Sequence, residues 1–536
     1  MRREDGTERH RFSDGTLQLR TLLLPATLLL GCARATPPAP PAPVLQLAAG
    51  PARLTLFVTA DVRGQLVPCG CSAAMRGGLG RAAAQIAAAR GSGVPTLFLD
   101  AGDALFERTG LAEDEAVGEE RKAQAVASAF KAMGLAVRAP GPLDNARGEP
   151  FRLALELPEL LSGAGMVLSA RPGAAGTGFA AAGPVQVGVA AGRTGAELEQ
   201  AAAPLRAGAR PGGAARFVVG LLAGAPSAAA DARAVDLVIA AQAPEVVGAE
   251  WDDGRLFPGT PPVAQLQTRG RSLLRVDVAL APDGGRPVLA RGQGDIEREL
   301  KAQSQRLELL KTELGQPRLS PERRALLEAR VKELVASREQ LAASAQSTAL
   351  APGTFTVRFI PLEAALPSDP AVDAIVADYD REVAQLNLAW AREHGQSCPP
   401  AAKGEAAYVG NEACRACHAR AFTVYGQSGH SHAYATLEKV SKQYRLDCIA
   451  CHVTGFQQPG GVCRVDQVEG RAQVGCENCH GPGSLHVVRP TRTNIPRPAP
   501  GQNVCLGCHT PENSLHFDFA RYLPRILGPG HAARGK

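Results

Sequence analysis

The chain has 536 residues, enough for two or three domains with full cores, yet aromatics make up only 4% of it, so the 45% apolar fraction is carried largely by small side chains. The formal net charge of +6 does not point to nucleic acid: from residue 403 onward fifteen Lys and Arg face nine Asp and Glu, but they are scattered and form no basic run. That local excess suits pairing with isolated anionic groups instead.

In chain order, a polar, arginine-containing start leads into the apolar run 22–30, followed by Gly31 and Cys32. The Leu-Leu-Leu-Gly-Cys sequence resembles a bacterial lipoprotein signal over residues 1–31, with cleavage before Cys32 leaving a cysteine for lipidation and membrane anchoring. A plain secretory signal is the alternative. The run is too short to span a bilayer as a helix, which takes about 20 apolar residues. Residues 32–53, rich in Pro and Ala, predict an extended tether.

From residue 54 short apolar runs alternate with helical stretches: 54–60, then Gly64, Gly77-Gly78 and an alanine-rich segment, then 96–100, with further runs at 166–169, 185–190, 217–222 and 235–240. Strands alternating with helices predict an α/β layered domain over 54–288. Within 289–350 the period becomes helical. Leu300, Leu307, Leu310 and Leu314 form one seam, Gly315-Gln316-Pro317 breaks it, and Ser320-Pro321 starts a second helix bearing Leu327, Val331, Leu334 and Leu341. An antiparallel helical hairpin is expected there. Residues 351–396 predict a strand (354–360) and a helix (371–390) that close the first domain, 397–407 a linker, and 408–536 a second, small, mainly helical and loop-rich domain.

That last region holds eight of the thirteen cysteines, in four Cys-x-x-Cys-His pentads: Cys414/Cys417/His418, Cys448/Cys451/His452, Cys476/Cys479/His480 and Cys505/Cys508/His509. Two intervening residues let both thiols reach one porphyrin edge while the adjacent imidazole turns under the metal, so the pattern points to four covalently bound haem c groups with those histidines on the irons. Zinc is the alternative for a Cys-x-x-Cys pair, but zinc has no need of a histidine directly after the second cysteine. The eight propionates of four haems would also absorb the local basic excess. Haem attachment outside the cytoplasm agrees with an export signal, and places Cys69, Cys71, Cys398 and Cys463 in a disulfide-permissive compartment. A Cys398–Cys463 bridge is expected, and Cys69 and Cys71 are expected in disulfides.

The segments Thr59-Ala-Asp61-Val-Arg63-Gly64, Pro68-Cys-Gly-Cys71, Gly77-Gly78-Leu79 and Leu99-Asp100-Ala-Gly102-Asp103 resemble the opening of the calcineurin-like metallophosphatases of the 5′-nucleotidase type, with Gly141-Pro142-Leu143-Asp144 standing for a third loop. The resemblance implies an α/β/β/α layered fold and a metal site of which Asp61, Arg63, Asp103 and Asp144 are the remnants. Arg63 stands where that family has a metal-ligating histidine, and no histidine occurs between His10 and His394, so hydrolysis is not expected. Arg63 is expected to pair with Asp61 or Asp103. A retained metal-dependent phosphoesterase or nucleotide-binding role is the alternative.

Tyr408-Val409-Gly410, Ser428-Gly-His430-Ser-His432, Cys451-His-Val-Thr-Gly455, Cys479-His-Gly-Pro-Gly-Ser-Leu-His486 and Cys508-His-Thr-Pro resemble the tetrahaem cytochrome c family associated with hydroxylamine oxidation. The resemblance makes His430 and His486 the leading sixth ligands, His531 and His516 the next, and His432 a neighbour of a propionate. Closed, bis-histidine irons imply electron transfer to and from redox partner proteins. An open iron acting on a small nitrogen or sulfur oxide is the alternative.

Overall fold

The computed structural model describes residues 52–68, 75–111, 113–170, 185–209, 214–241, 254–316, 319–345, 350–394, 397–510, 513–514, 517–528 and 531. Expectations for Cys32, Cys69, Cys71 and His516 lie outside them.

Two six-stranded sheets face each other. In the first, β1 (Arg53–Thr59), β2 (Thr96–Asp100) and β3 (Leu135–Arg138) run parallel. Helices α1 (Leu79–Gly91) and α2 (Glu113–Ala132) connect them. The second contains β4 (Gly165–Ala170), β5 (Val185–Gly192), β6 (Phe217–Leu222), β7 (Leu237–Ala240), β8 (Arg255–Phe257) and β9 (Val263–Gln265), in the order β4-β5-β6-β7-β9-β8. The chain then returns to the first sheet through β10 (Ser272–Ala279), β11 (Val288–Leu289) and β12 (Thr354–Pro361), completing the order β11-β12-β10-β1-β2-β3.

Side-chain alternation along the strands sorts the core into layers. On β1, Leu54, Leu56 and Val58 enter the space between the sheets with Val187, Val189, Val219 and Leu221, while Phe57 points the other way. Phe217 and Phe355, one from each sheet, meet there edge to face with centroids 5.1 Å apart. Outside the first sheet Phe57 and Phe98 pack against Ile86 of α1, Val126 of α2 and Val376 of a long helix, residues Pro370–His394. Outside the second, Val218 and Leu222 pack against Leu198, Ala201 and Leu205 of the helix Gly195–Arg206. The arrangement is therefore helix, sheet, sheet, helix, and each fully buried aliphatic contributes about 1.5–3 kcal/mol.

Between β11 and β12 the helices Gln293–Leu314 and Pro321–Ala345 form a hairpin whose seam buries Leu307, Leu327 and Leu341. Ser320 Oγ caps the second helix, accepting from Arg323 N at 3.2 Å.

Ala49–Lys536 is one compact unit. The Pro370–His394 helix is the reason that the C-terminal region does not stand apart. Its Ala391 and Leu388 share a small core with Ile449, Val453 and Val462, and Asn387 Nδ2 donates to Tyr444 O at 2.7 Å. Cys398 and Cys463 are disulfide-bonded, with Cα atoms 5.1 Å apart, the pairing expected from the sequence.

Candidate functional site

The loops after β1, β2 and β3 meet at one end of the first sheet. Backbone bonds from Asp61 N to Gly102 O (2.9 Å), Arg63 N to Asp103 O (2.9 Å) and Gly64 N to Ala104 O (2.8 Å) carry the pairing beyond the strands. Asp61, Arg63 and Asp103 all sit in the left-handed region, at φ 53°, 52° and 54°. Gly102, at φ 112°, is required there because a Cβ would lie 2.5 Å from Ala139 O.

Guanidinium groups answer Asp61, Asp100 and Asp144, while Asp103 accepts from the backbone N–H of Leu143. Arg63 Nε donates to Asp61 Oδ1 at 2.7 Å, the pairing expected from the sequence. Asp144 accepts from the backbone N–H of Asp103, Ala104 and Leu105 (2.9 Å each) and of Gly141 (2.7 Å), and pairs with Arg138 Nη2 at 2.6 Å. Its oxygens are thus occupied in holding two loops together. Arg138, fully buried at the end of β3, also reaches Asp100 (3.4 Å) and Glu159 (3.2 Å). Sequence reasoning passed over Arg138; its signal was a charge closing the apolar run 135–138. Burial, reinforced by Asp144, pushes the Asp103 carboxyl up to about 7. Burial, opposed by Arg138, pushes Asp100 up to about 6. Among the described residues no three His, Cys, Asp or Glu side chains are grouped so as to hold a metal ion.

The pentads lie on short helical turns, where residues three and four apart share a face. Helices cover Glu412–Arg415, Leu446–His452, Cys476–His480 and Gln502–Leu506. The N–H of His418 bonds Cys414 O at 3.0 Å and that of His509 bonds Cys505 O at 2.8 Å, so the first thiol and the imidazole are one turn apart. None of the eight pentad cysteines is in a disulfide. Cys417 is exposed, whereas the other seven are half-buried. The helix Glu412–Arg415 ends two residues before Cys417 and leaves it in a surface turn. An exposed thiol remains open to thioether formation, so exposure does not remove Cys417 from its pentad.

The imidazoles are oriented by the protein. His452, His480 and His486 donate from Nδ1 to the carbonyls of Ala433 (2.7 Å), Arg497 (2.9 Å) and Thr491 (2.9 Å), and His509 Nδ1 lies 2.9 Å from Ser514 Oγ. A carbonyl only accepts, so the proton sits on Nδ1 and the Nε2 lone pair is left for a metal. The rings of His418 and His486 have centroids 6.2 Å apart, and those of His430 and His509 6.1 Å apart. That spacing accommodates two metal–nitrogen bonds of about 2 Å plus the radius of each ring. His531 lies near His480 and His418, and together with burial they lower its pKa.

Glu477, inside the third pentad and 1% exposed, binds this region together. It accepts from Val409 N (3.0 Å), Gly410 N (2.8 Å) and Gly483 N (2.7 Å). Asn411 Oδ1 accepts from Cys476 N at 2.8 Å, joining the first pentad to the third. The donor set of paired thiols and Nδ1-anchored imidazoles fits covalent haem.

Residues 413–481 match the family model for cytochrome c554 and c-prime. Over 94 residues the chain is 32% identical to cytochrome c-554 of Nitrosomonas europaea, a match that takes in 15% of this chain and 40% of that protein. The chain therefore spans less than half the length of that relative. Among solved structures it is similar to the 5′-nucleotidase precursor from Thermus thermophilus (TM-score 0.37, 14% identity, 62% of this chain and 59% of that one). It is also similar to the NAD nucleotidase of Haemophilus influenzae (TM-score 0.37, 13% identity, 70% and 69%). Residues 413–481, which bear three of the four pentads, match the cytochrome c554 family, and they follow an α/β domain of four layers.

Proposed function

We propose that this protein is an extracytoplasmic cytochrome with four covalent haem c groups that relays electrons between redox partner proteins at the cell envelope. A lipid on Cys32 holds it to the membrane. The α/β domain arranges contacts and does not hydrolyse phosphate esters. The observation that supports the relay best is the pairing of imidazoles from distant segments, His418 with His486 and His430 with His509. In this reading His418, His452, His480 and His509 are the pentad ligands; His430, His486, His531 and His516 supply the sixth positions. Bound haem supplies reversible one-electron exchange. The chain's own residues would tether it through eight thiols, orient the imidazoles of His452, His480, His486 and His509 through Nδ1, and keep substrates off the irons by supplying two imidazoles to each.

The strand-end loops support the reading of the first domain, because Asp61 and Asp144 are already met by Arg63 and Arg138. No described helix is long and apolar enough to cross a membrane. Haem content by pyridine haemochrome, with electron paramagnetic resonance of the oxidised protein, tests the relay. Four low-spin haems per chain are expected, and a high-spin signal of one haem per chain would overturn it in favour of an open, reactive iron. Metal-dependent phosphoesterase turnover would overturn the reading of the α/β domain.

A further inference from the structure

The second pentad differs from the other three in what holds it. Its helix, Leu446–His452, begins at Arg445, whose carbonyl accepts from Cys448 N (3.1 Å) and Ile449 N (2.9 Å). The side chain of the same residue, 8% exposed, reaches into the α/β domain. Its Nη1 pairs with Asp380 at 2.9 Å, its guanidinium lies 5.3 Å from the centre of the Tyr379 ring, and its Nη2 turns back to Asp447 at 2.6 Å. Lys442 approaches the other oxygen of Asp380 at 4.0 Å. Ile449 is fully buried against the Pro370–His394 helix, on which Tyr379 and Asp380 lie.

Lys122 of α2 completes the group. It is 6% exposed and paired with Glu119, and its side chain lies against Gly64, where a Cβ would come 3.0 Å from Lys122 Cδ. Burial opposes its charge, but Tyr379, Asp447 and Glu119 outweigh burial and raise its pKa, so it stays a cation. A buried lysine ordinarily loses its proton; this one is held charged on the side of the domain that meets the second pentad.

We propose that Lys122, Tyr379 and Asp380 of the α/β domain, acting through Arg445 and Asp447, position the haem held by Cys448 and Cys451 and set its reduction potential. They are positioning residues and touch no reacting atom. A fixed cation nearby favours the reduced haem and a fixed anion the oxidised one, the more so in a low-dielectric setting. The first domain thereby acts on one haem of the four. This rests on the electron-transfer reading above.

The test is spectroelectrochemical titration of the full-length holoprotein, with the second haem assigned by comparison with a variant lacking Cys448 and Cys451. Lys122→Met removes a positive charge and is expected to lower that haem's potential. Asp380→Asn removes a negative one and is expected to raise it. Each shift is expected to reach about a tenfold change in the reduction equilibrium, ~59 mV for one electron, with the other three haems unmoved. Lys122→Arg keeps the charge and is expected to leave the wild-type value. Loosened docking alone would move both charge-removing variants in the same direction. That result, or no shift in either, overturns the proposal. If Lys122→Met does not accumulate, Asp380→Asn decides by the sign of its shift. Wild-type protein with fewer than four haems would instead overturn the reading on which the proposal rests.

Discussion

The α/β layers and the pentad region close their interiors by different means. Among the described residues the layers do it with three apolar clusters, of which the one between the sheets draws on strands from both. The described residues of the pentad region hold one small cluster, Tyr434, Ile449, Val453, Val462 and Val465 with Ala391 contributed by the α/β domain. Its order comes from polar buttresses and covalent ties, Glu477, Asn411 and the Cys398–Cys463 bridge. Both regions use a buried carboxylate to gather loop N–H groups, Asp144 in one and Glu477 in the other. In the layers that carboxylate and its guanidinium partner occupy strand-end loops, so the loop geometry is kept up by ion pairs. In the pentad region the carboxylate props up cofactor-bearing turns. A domain with its own core can keep its loops in shape by ion pairs; on the proposed reading porphyrins fill the interior of the pentad region, which then depends on every pentad.

The largest effect should come from breaking that dependence. Replacing both Cys476 and Cys479 by alanine is expected to remove one haem and open residues 397–536 to protease, with the α/β layers still resistant; haem absorbance per chain and limited proteolysis read both. If the layers are cleaved as readily, the two regions are not independent in stability. Asp144→Ala leaves the Arg138 charge buried without its closest partner and is expected to cost about 3–5 kcal/mol in urea denaturation, without loss of haem. Leu99→Ala, in the cluster between the sheets and fully buried, should cost about 2–5 kcal/mol by the same measurement.

A gentler distinction lies in pH. The Asp103 carboxyl is raised from 3.8 to about 7 in the folded chain, so between those values the native state holds more protons than the unfolded one. Its contribution is therefore present at low pH and is lost as pH rises toward 7, by up to about 1.4 kcal/mol per pH unit. Asp103→Asn should flatten the profile between about pH 6 and 7, leaving at lower pH the slope of the same sign from Asp100, whose carboxyl is raised to about 6. The smallest effect is expected at the hairpin, where Arg323 and Glu313 pair at 2.7 Å on the surface. Arg323→Ala should change stability by no more than about 0.5–1 kcal/mol.

Much of this protein is written locally. The four Cys-x-x-Cys-His pentads are legible because the residues concerned are three and four apart, and a single helical turn brings them together whatever the rest of the chain does. The strand runs and the break at Gly315-Gln316-Pro317 are legible for the same reason: pleat alternation, helical period and turn chemistry act over a few residues. The Arg63–Asp61 pair, two positions apart, was within reach of such reasoning.

Other features had no local signature. Arg138 collects Asp100, Asp144 and Glu159, which lie up to 38 positions away, and only the packing of three loops at one sheet end makes it a centre. The exposure of Cys417 beside seven half-buried pentad thiols depends on what packs over each turn, which an identical motif cannot reveal. His418 meets His486, and His430 meets His509, across most of the pentad region; sequence order carries no information about which imidazole faces which. The contact of Tyr379 and Asp380 with Arg445, at the start of the second pentad's helix, depends on a helix of the first domain running on beneath the second. The sequence by itself determined where the paired thiols and their histidines lie. The tertiary structure decided which charges surround it, because the electrostatic environment of a buried site is summed over residues that chain connectivity leaves far apart.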